Sequence, residues 1–143
     1  MYATTSARNK FMADGVGSTP PERLLVMLYD RLLRDLEDAT VAISRSDVAG
    51  AHEALTHAQD IVAELHSALD LEGWDGAQAM SDLYTWIADL LGRANVTKSA
   101  PLVAEARSLI QPLRDTWAEA YQSLSTASTA APVAPGGSLD ISG

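Results

Sequence analysis

Between Val48 and Leu69 the apolar residues Val48, Ala51, Leu55, Ala58, Val62, Leu65 and Leu69 recur at steps of three and four without a slip. An α-helix puts such positions on one line, and the spacing is that of a seam packed against neighbouring helices. Suitable neighbours exist in the same chain. Ser18-Thr19-Pro20-Pro21-Glu22 is a helix start, with a capping hydroxyl, prolines suited to the first turn and an acid at the positive end of the dipole. Leu25, Leu28, Leu32, Leu36, Ala39 and Ile43 follow it, predicting a helix of about 25 residues, roughly 37 Å long. Ser46-Asp47 reads as the break and the next cap. Two glycines in Asp70-Leu71-Glu72-Gly73-Trp74-Asp75-Gly76 punctuate a turn. A third helix is expected through Met80, Leu83, Tyr84, Ile87, Leu91 and Ala94, stopping near Asn95-Val96-Thr97. A fourth starts at Ser99-Ala100-Pro101 and runs through Leu102, Ala106, Leu109, Leu113, Trp117, Ala120 and Leu124, with Pro112 expected to kink or loosen one turn.

Four amphipathic helices on short turns predict an all-α, antiparallel up-down four-helix bundle over residues 20–125. Residues 1–19 are polar and small apart from Tyr2, Phe11, Met12 and Val16, and read as a mobile N-terminal arm. Residues 126–143 are rich in Ala, Ser, Thr, Pro and Gly and read as a disordered tail.

Hydrophobic residues make up 47% of the 143, enough for a core, and the formal net charge is -9. That sign disfavours nucleic acid and anionic membrane surfaces as partners and suits a basic or neutral polypeptide. There is no cysteine, which agrees with a reducing compartment and removes thiol chemistry. The first residues lack the apolar run of a signal peptide, and no run approaches a membrane span, so a cytoplasmic protein without membrane insertion is expected.

Catalytic and metal chemistry find little footing. A di-iron bundle needs Glu-x-x-His pairs, and none occurs. Glu53, His57, Asp60 and Glu64 share a helix face, but a solvated polar face explains them better than a metal site, with His52 and His66 as surface neighbours. No Gly-x-Ser-x-Gly and no phosphate-cradling loop is present. The expectation is a protein that is no enzyme and holds no cofactor or metal.

What remains is apolar surface. A second stripe reads Ala54, Ala58, Ile61, Leu65 and Ala68 on the second helix, and Ala79, Leu83, Trp86 and Leu90 on the third. The two stripes either form one wide core-facing sector or leave a groove for the apolar face of a partner helix. In the second case Phe11 and Val16 of the arm could cover the groove. The candidate partner-binding residues are therefore Phe11, Val16, Ile61, Leu65, Ala68, Leu83, Trp86 and Leu90.

Several stretches resemble the flagellin-specific export chaperones of the FliS family. Thr19-Pro20-Pro21-Glu22-Arg23-Leu24-Leu25-Val26-Met27-Leu28-Tyr29-Asp30 is similar to that family's opening helix. Ile61 to Asp70, Leu83-Tyr84-Thr85-Trp86-Ile87, Arg93-Ala94-Asn95 and Leu113-Arg114-Asp115-Thr116-Trp117 match later elements in order. Phe11 stands where Tyr is usual, Arg31 where Gly is common, and Thr85-Trp86 where Asp-Tyr is usual. The resemblance implies a bundle that binds the C-terminal helical segment of flagellin in the cytoplasm, prevents premature polymerisation and assists delivery to the export gate, with the arm over the groove. The alternative is a small helical adaptor or regulatory protein for a folded partner.

Overall fold

The computed structural model describes residues 21–136, with side chains as far as Leu124. Four helices follow one another: α1 (Pro21–Ser44), α2 (Val48–Ser67), α3 (Ala77–Thr97) and α4 (Ala100–Gly136). Each packs on two neighbours, α1 and α3 both touching α2 and α4, so the helices stand at the corners of a square. Cross-helix bonds fix the antiparallel sense. His66 and Ser81 meet at one end of the α2–α3 pair, and His52 and Asn95 at the other. No described helix is long and apolar enough to cross a membrane.

Two of the three links are tight, and both use the same device. Asp47 N–H donates to Ala42 O at 2.8 Å and Ser46 N–H to Ile43 O at 3.0 Å, a paired closure of the α1 C-terminus. Ser46 takes φ 57°, the left-handed conformation that glycine adopts most easily. Asp47 then caps α2, its Oδ1 accepting from Gly50 N–H at 2.9 Å. Gly50 leaves room for that carboxylate, since a Cβ there would stand 2.3 Å from Asp47 Oδ2. At the other link Lys98 (φ 51°) precedes Ser99, whose N–H donates to Ala94 O and whose Oγ accepts from Leu102 N–H. Lys98 Nζ also covers the Asn95 carbonyl.

The core runs through Tyr29, Leu32, Leu36 and Ala39 of α1; Leu55, Ala58, Ile61, Val62 and Leu65 of α2; Tyr84, Ile87, Leu90, Leu91 and Ala94 of α3; and Val103, Ala106 and Ile110 of α4. The phase of burial differs from the expected stripes. On α4 the buried line is Val103–Ala106–Ile110, with Leu102, Leu109, Leu113 and Trp117 at its flanks and Leu124 exposed. On α1, Leu24 and Tyr29 are buried while Leu25, Leu28 and Ile43 are half-buried. Val48, placed on the α2 seam by its spacing, is exposed. A corner helix faces two neighbours at once, so its buried sector is centred between stripes.

α4 continues as helix on both sides of Pro112, which is exposed. The helix continues to Gly136, past the composition change after Ser125. The predicted arm with Phe11 and Val16, and the last residues of the predicted tail, lie outside the described residues.

Candidate functional site

The structure divides the residues expected to bind a partner. Leu90 is 0% exposed, and Ile61 and Leu65 are buried with it in the core. For these three the second stripe is the inner half of one wide sector, because α2 and α3 each bury surface against two neighbours. Ala68, at the end of α2, is exposed, Leu83 is half-buried, and Trp86 is 43% exposed.

Trp86 lies beside a shallow, open depression of about 460 Å³ lined by Asp82, Thr85, Trp86 and Asp89. Its ring is held in place. Arg93 sits over it at 5.5 Å from the centroid and donates Nε–H to Asp89 at 3.0 Å. The guanidinium is thus stacked and paired at once. The strip formed by Ala79, Leu83 and Trp86 is apolar in the middle and acidic at its rim, a surface that could take the apolar face of a helix. Arg93, not among the residues expected from the sequence to bind a partner, belongs to this site, and its spacing of four from Asp89 is the sequence signal for it.

Behind that face a polar cluster ties the helices together. The hydroxyls of Tyr29 (α1) and Tyr84 (α3) are 2.5 Å apart in the buried centre. Burial is the main cause that pushes both phenols above their ordinary range; the neighbouring Tyr84 adds to the shift at Tyr29, and the Trp117 indole works against it. His66 of α2 packs tilted against Tyr84, with ring centroids 5.9 Å apart and planes at 49°, and its Nε2 is 2.7 Å from Ser81 Oγ. His66 is therefore half-buried between helices, where the sequence pattern placed it on the surface. On the outside, Arg114 of α4 donates Nε–H to Asp30 of α1 at 2.7 Å, and that bond raises the guanidinium above its usual range.

The expected solvated face on α2 also needs correcting. Glu64 is buried, and exposed His57 reaches across to Asp35 of α1, its Nδ1 2.5 Å from Asp35 Oδ2. Asp35 is 2% exposed and also meets Arg31 at 3.4 Å. A carboxylate three residues after Leu32 and one before Leu36, on the apolar stripe itself, was the sequence signal for this buried pair. Among the described residues no three His, Cys, Asp or Glu side chains are grouped to hold a metal ion.

The stretches singled out by resemblance therefore converge: Tyr29 and Asp30 from the first, His66 from the second, Tyr84 from the third, Arg114 and Trp117 from the last. A family model described as "Flagellar protein FliS" matches residues 4–124. The chain belongs to the FliS family. Three relatives, each named flagellar secretion chaperone FliS, agree with this. The protein from Bacillus subtilis (strain 168) is 28% identical over 113 residues, 79% of this chain and 84% of that one. Those from Campylobacter jejuni (strain 81116) and Salmonella typhimurium (strain LT2) are both 30% identical, over 116 and 118 residues. The alignments cover 80% and 81% of this chain, and 91% and 84% of the respective relatives. In this FliS chain the residues of the matching stretches largely clamp the four helices, while Trp86 faces outward.

Proposed function

We propose that this chain is a cytosolic export chaperone that binds the C-terminal helical segment of flagellin, keeps it from polymerising early and assists its delivery to the flagellar secretion system. The reading rests on one observation, membership in a family whose relatives are named flagellar secretion chaperones. Such a protein works by holding its client, without turnover. A client helix laid along α3 would cover Leu83 and Trp86, and Ala68 at the end of α2. Phe11 and Val16 of the arm would be the segment it displaces.

Affinity would come mostly from apolar burial, about 25 cal/mol per Å² before the cost of ordering the client. Ile61, Leu65 and Leu90 would contribute by holding α2 and α3 at their spacing. They could touch a client only if the bundle opened.

Calorimetric titration of the full chain with a flagellin C-terminal fragment tests the proposal. Trp86→Asp should weaken binding at least about tenfold, with helical content and melting temperature nearly unchanged. Leu90→Ala should instead destabilise the bundle by about 2–5 kcal/mol. Wild-type protein that ignores the fragment would remove flagellin as client and favour an adaptor for a folded protein. Fragment binding untouched by Trp86→Asp would keep the client and remove this face.

A further inference from the structure

The α2–α3 connection carries two large apolar side chains in water, Leu71 at 52% and Trp74 at 49% exposure. Both precede the strip that contains Trp86; Trp74 lies before α3 begins. A link of this length could be slack, yet it is braced. Asp70 accepts from Glu72 N–H through its side chain and from Gly73 N–H through its carbonyl, both at 3.1 Å. Ala77 N–H donates to Trp74 O at 3.2 Å. The Trp74 ring lies against Gly76 so closely that a Cβ there would stand 2.1 Å from it. The indole thus rests on its own braced loop at Gly76 while half its surface stays open, which limits the freedom it would lose on binding.

The charge around it is one-sided. Between Arg45 and Arg93, over residues 46–92, the chain contains no Lys or Arg but nine acidic residues, whereas the rest of the chain has ten acidic and ten basic ones. The whole formal charge of -9 therefore resides in Asp47, α2, this link and most of α3. Asp70, Glu72 and Asp75 are all exposed and alternate with Leu71 and Trp74. Such a surface repels anionic lipid and nucleic acid, and complements cationic side chains that flank apolar ones.

We propose that this end of the bundle is a second docking surface, independent of the Trp86 face, for a basic amphipathic helix of a partner protein. The helix would place its apolar side on Leu71 and Trp74 and its Lys and Arg side chains against Asp70, Glu72 and Asp75.

The probe is a synthetic Leu/Lys amphipathic helix of about 18 residues, roughly 27 Å long, with a Leu/Glu version of the same pattern as control. It is titrated into the isotope-labelled full chain. NMR follows the Trp74, Trp86 and Trp117 indole N–H signals, assigned by single Trp→Phe changes. The Leu/Lys peptide should shift Trp74 and weaken as salt is raised, and the Leu/Glu peptide should not bind. Trp74→Ser with Leu71→Ser should reduce affinity at least about tenfold while the flagellin fragment binds as before. Glu72→Lys with Asp75→Lys, whose side chains make no bond to another of the described residues, should do the same and carries the test if the first variant folds poorly. Shifts confined to Trp86, or equal binding of both peptides, would overturn the proposal. So would Trp74 shifts that depend on protein concentration alone, which would make the occupant a second copy of this chain.

Discussion

The Tyr29 and Tyr84 hydroxyls meet at 2.5 Å across the diagonal of the bundle, joining the two helices of the square that otherwise share little contact. Neither phenol can find water there, since both rings are buried. Replacing Tyr29 with Phe leaves the Tyr84 hydroxyl wanting a partner, at about 1–3 kcal/mol, whereas Tyr84→Phe leaves Tyr29 beside the Trp117 indole. Removing both leaves neither hydroxyl orphaned, so Tyr29→Phe with Tyr84→Phe should cost less than the two single changes together. Urea unfolding of the four proteins measures the coupling; strictly additive losses would mean that the bond contributes nothing to stability.

The same pair predicts alkaline weakening. Both native phenols titrate above the ordinary value of 10.0, chiefly through burial. Above that pH the unfolded chain releases protons that the native state still holds, so stability falls as pH rises. It is fully present below pH 10 and declines by up to about 1.4 kcal/mol per pH unit for each of the two groups. The denaturation midpoint measured from pH 9 to 11 should fall, and less steeply in Tyr29→Phe. Phenolate absorbance from two tyrosines should appear only with unfolding. Early, reversible ionisation of all four in the folded protein would contradict this.

Asp35 is a buried carboxylate met by two side chains from the surface, Arg31 and His57. His57→Ala takes away its closer partner and should cost about 1–3 kcal/mol. Asp35→Asn introduced into that variant removes the buried charge and should restore part of the loss. Thermal or urea melting decides the order; a double variant weaker than His57→Ala alone would mean that the charge is satisfied without the imidazole.

Ser46 holds a left-handed backbone at the end of α1, and its Oγ makes none of the turn's bonds. Ser46→Gly should therefore stabilise by about 0.5–1 kcal/mol by relieving that conformation. Lys98→Gly relieves the same strain at the other tight link but loses the bonds from Nζ to Asn95, so its gain should be smaller. Equal gains at both positions would show that those bonds add no stability.

Periodicity and caps were legible in the chain because they are local. Asp47 and Ser99 cap helices where the sequence places caps, and four helices appear where spacings of three and four predict them. The family was legible too, since its motifs keep their order. What they do in space was not, for Tyr29, Tyr84 and Trp117 are far apart in the chain and meet only on folding.

The sequence by itself determined the four helices of the described residues, where they begin, and that each has an apolar side. Tertiary structure decided which residues of that side lie innermost, sending Leu90, Ile61 and Leu65 into the core and leaving Trp86 in water. The reason is geometric. Helical periodicity is fixed by each residue's own neighbours in the chain, whereas burial depends on the two helices that flank each corner of the square, and those are set only when all four assemble.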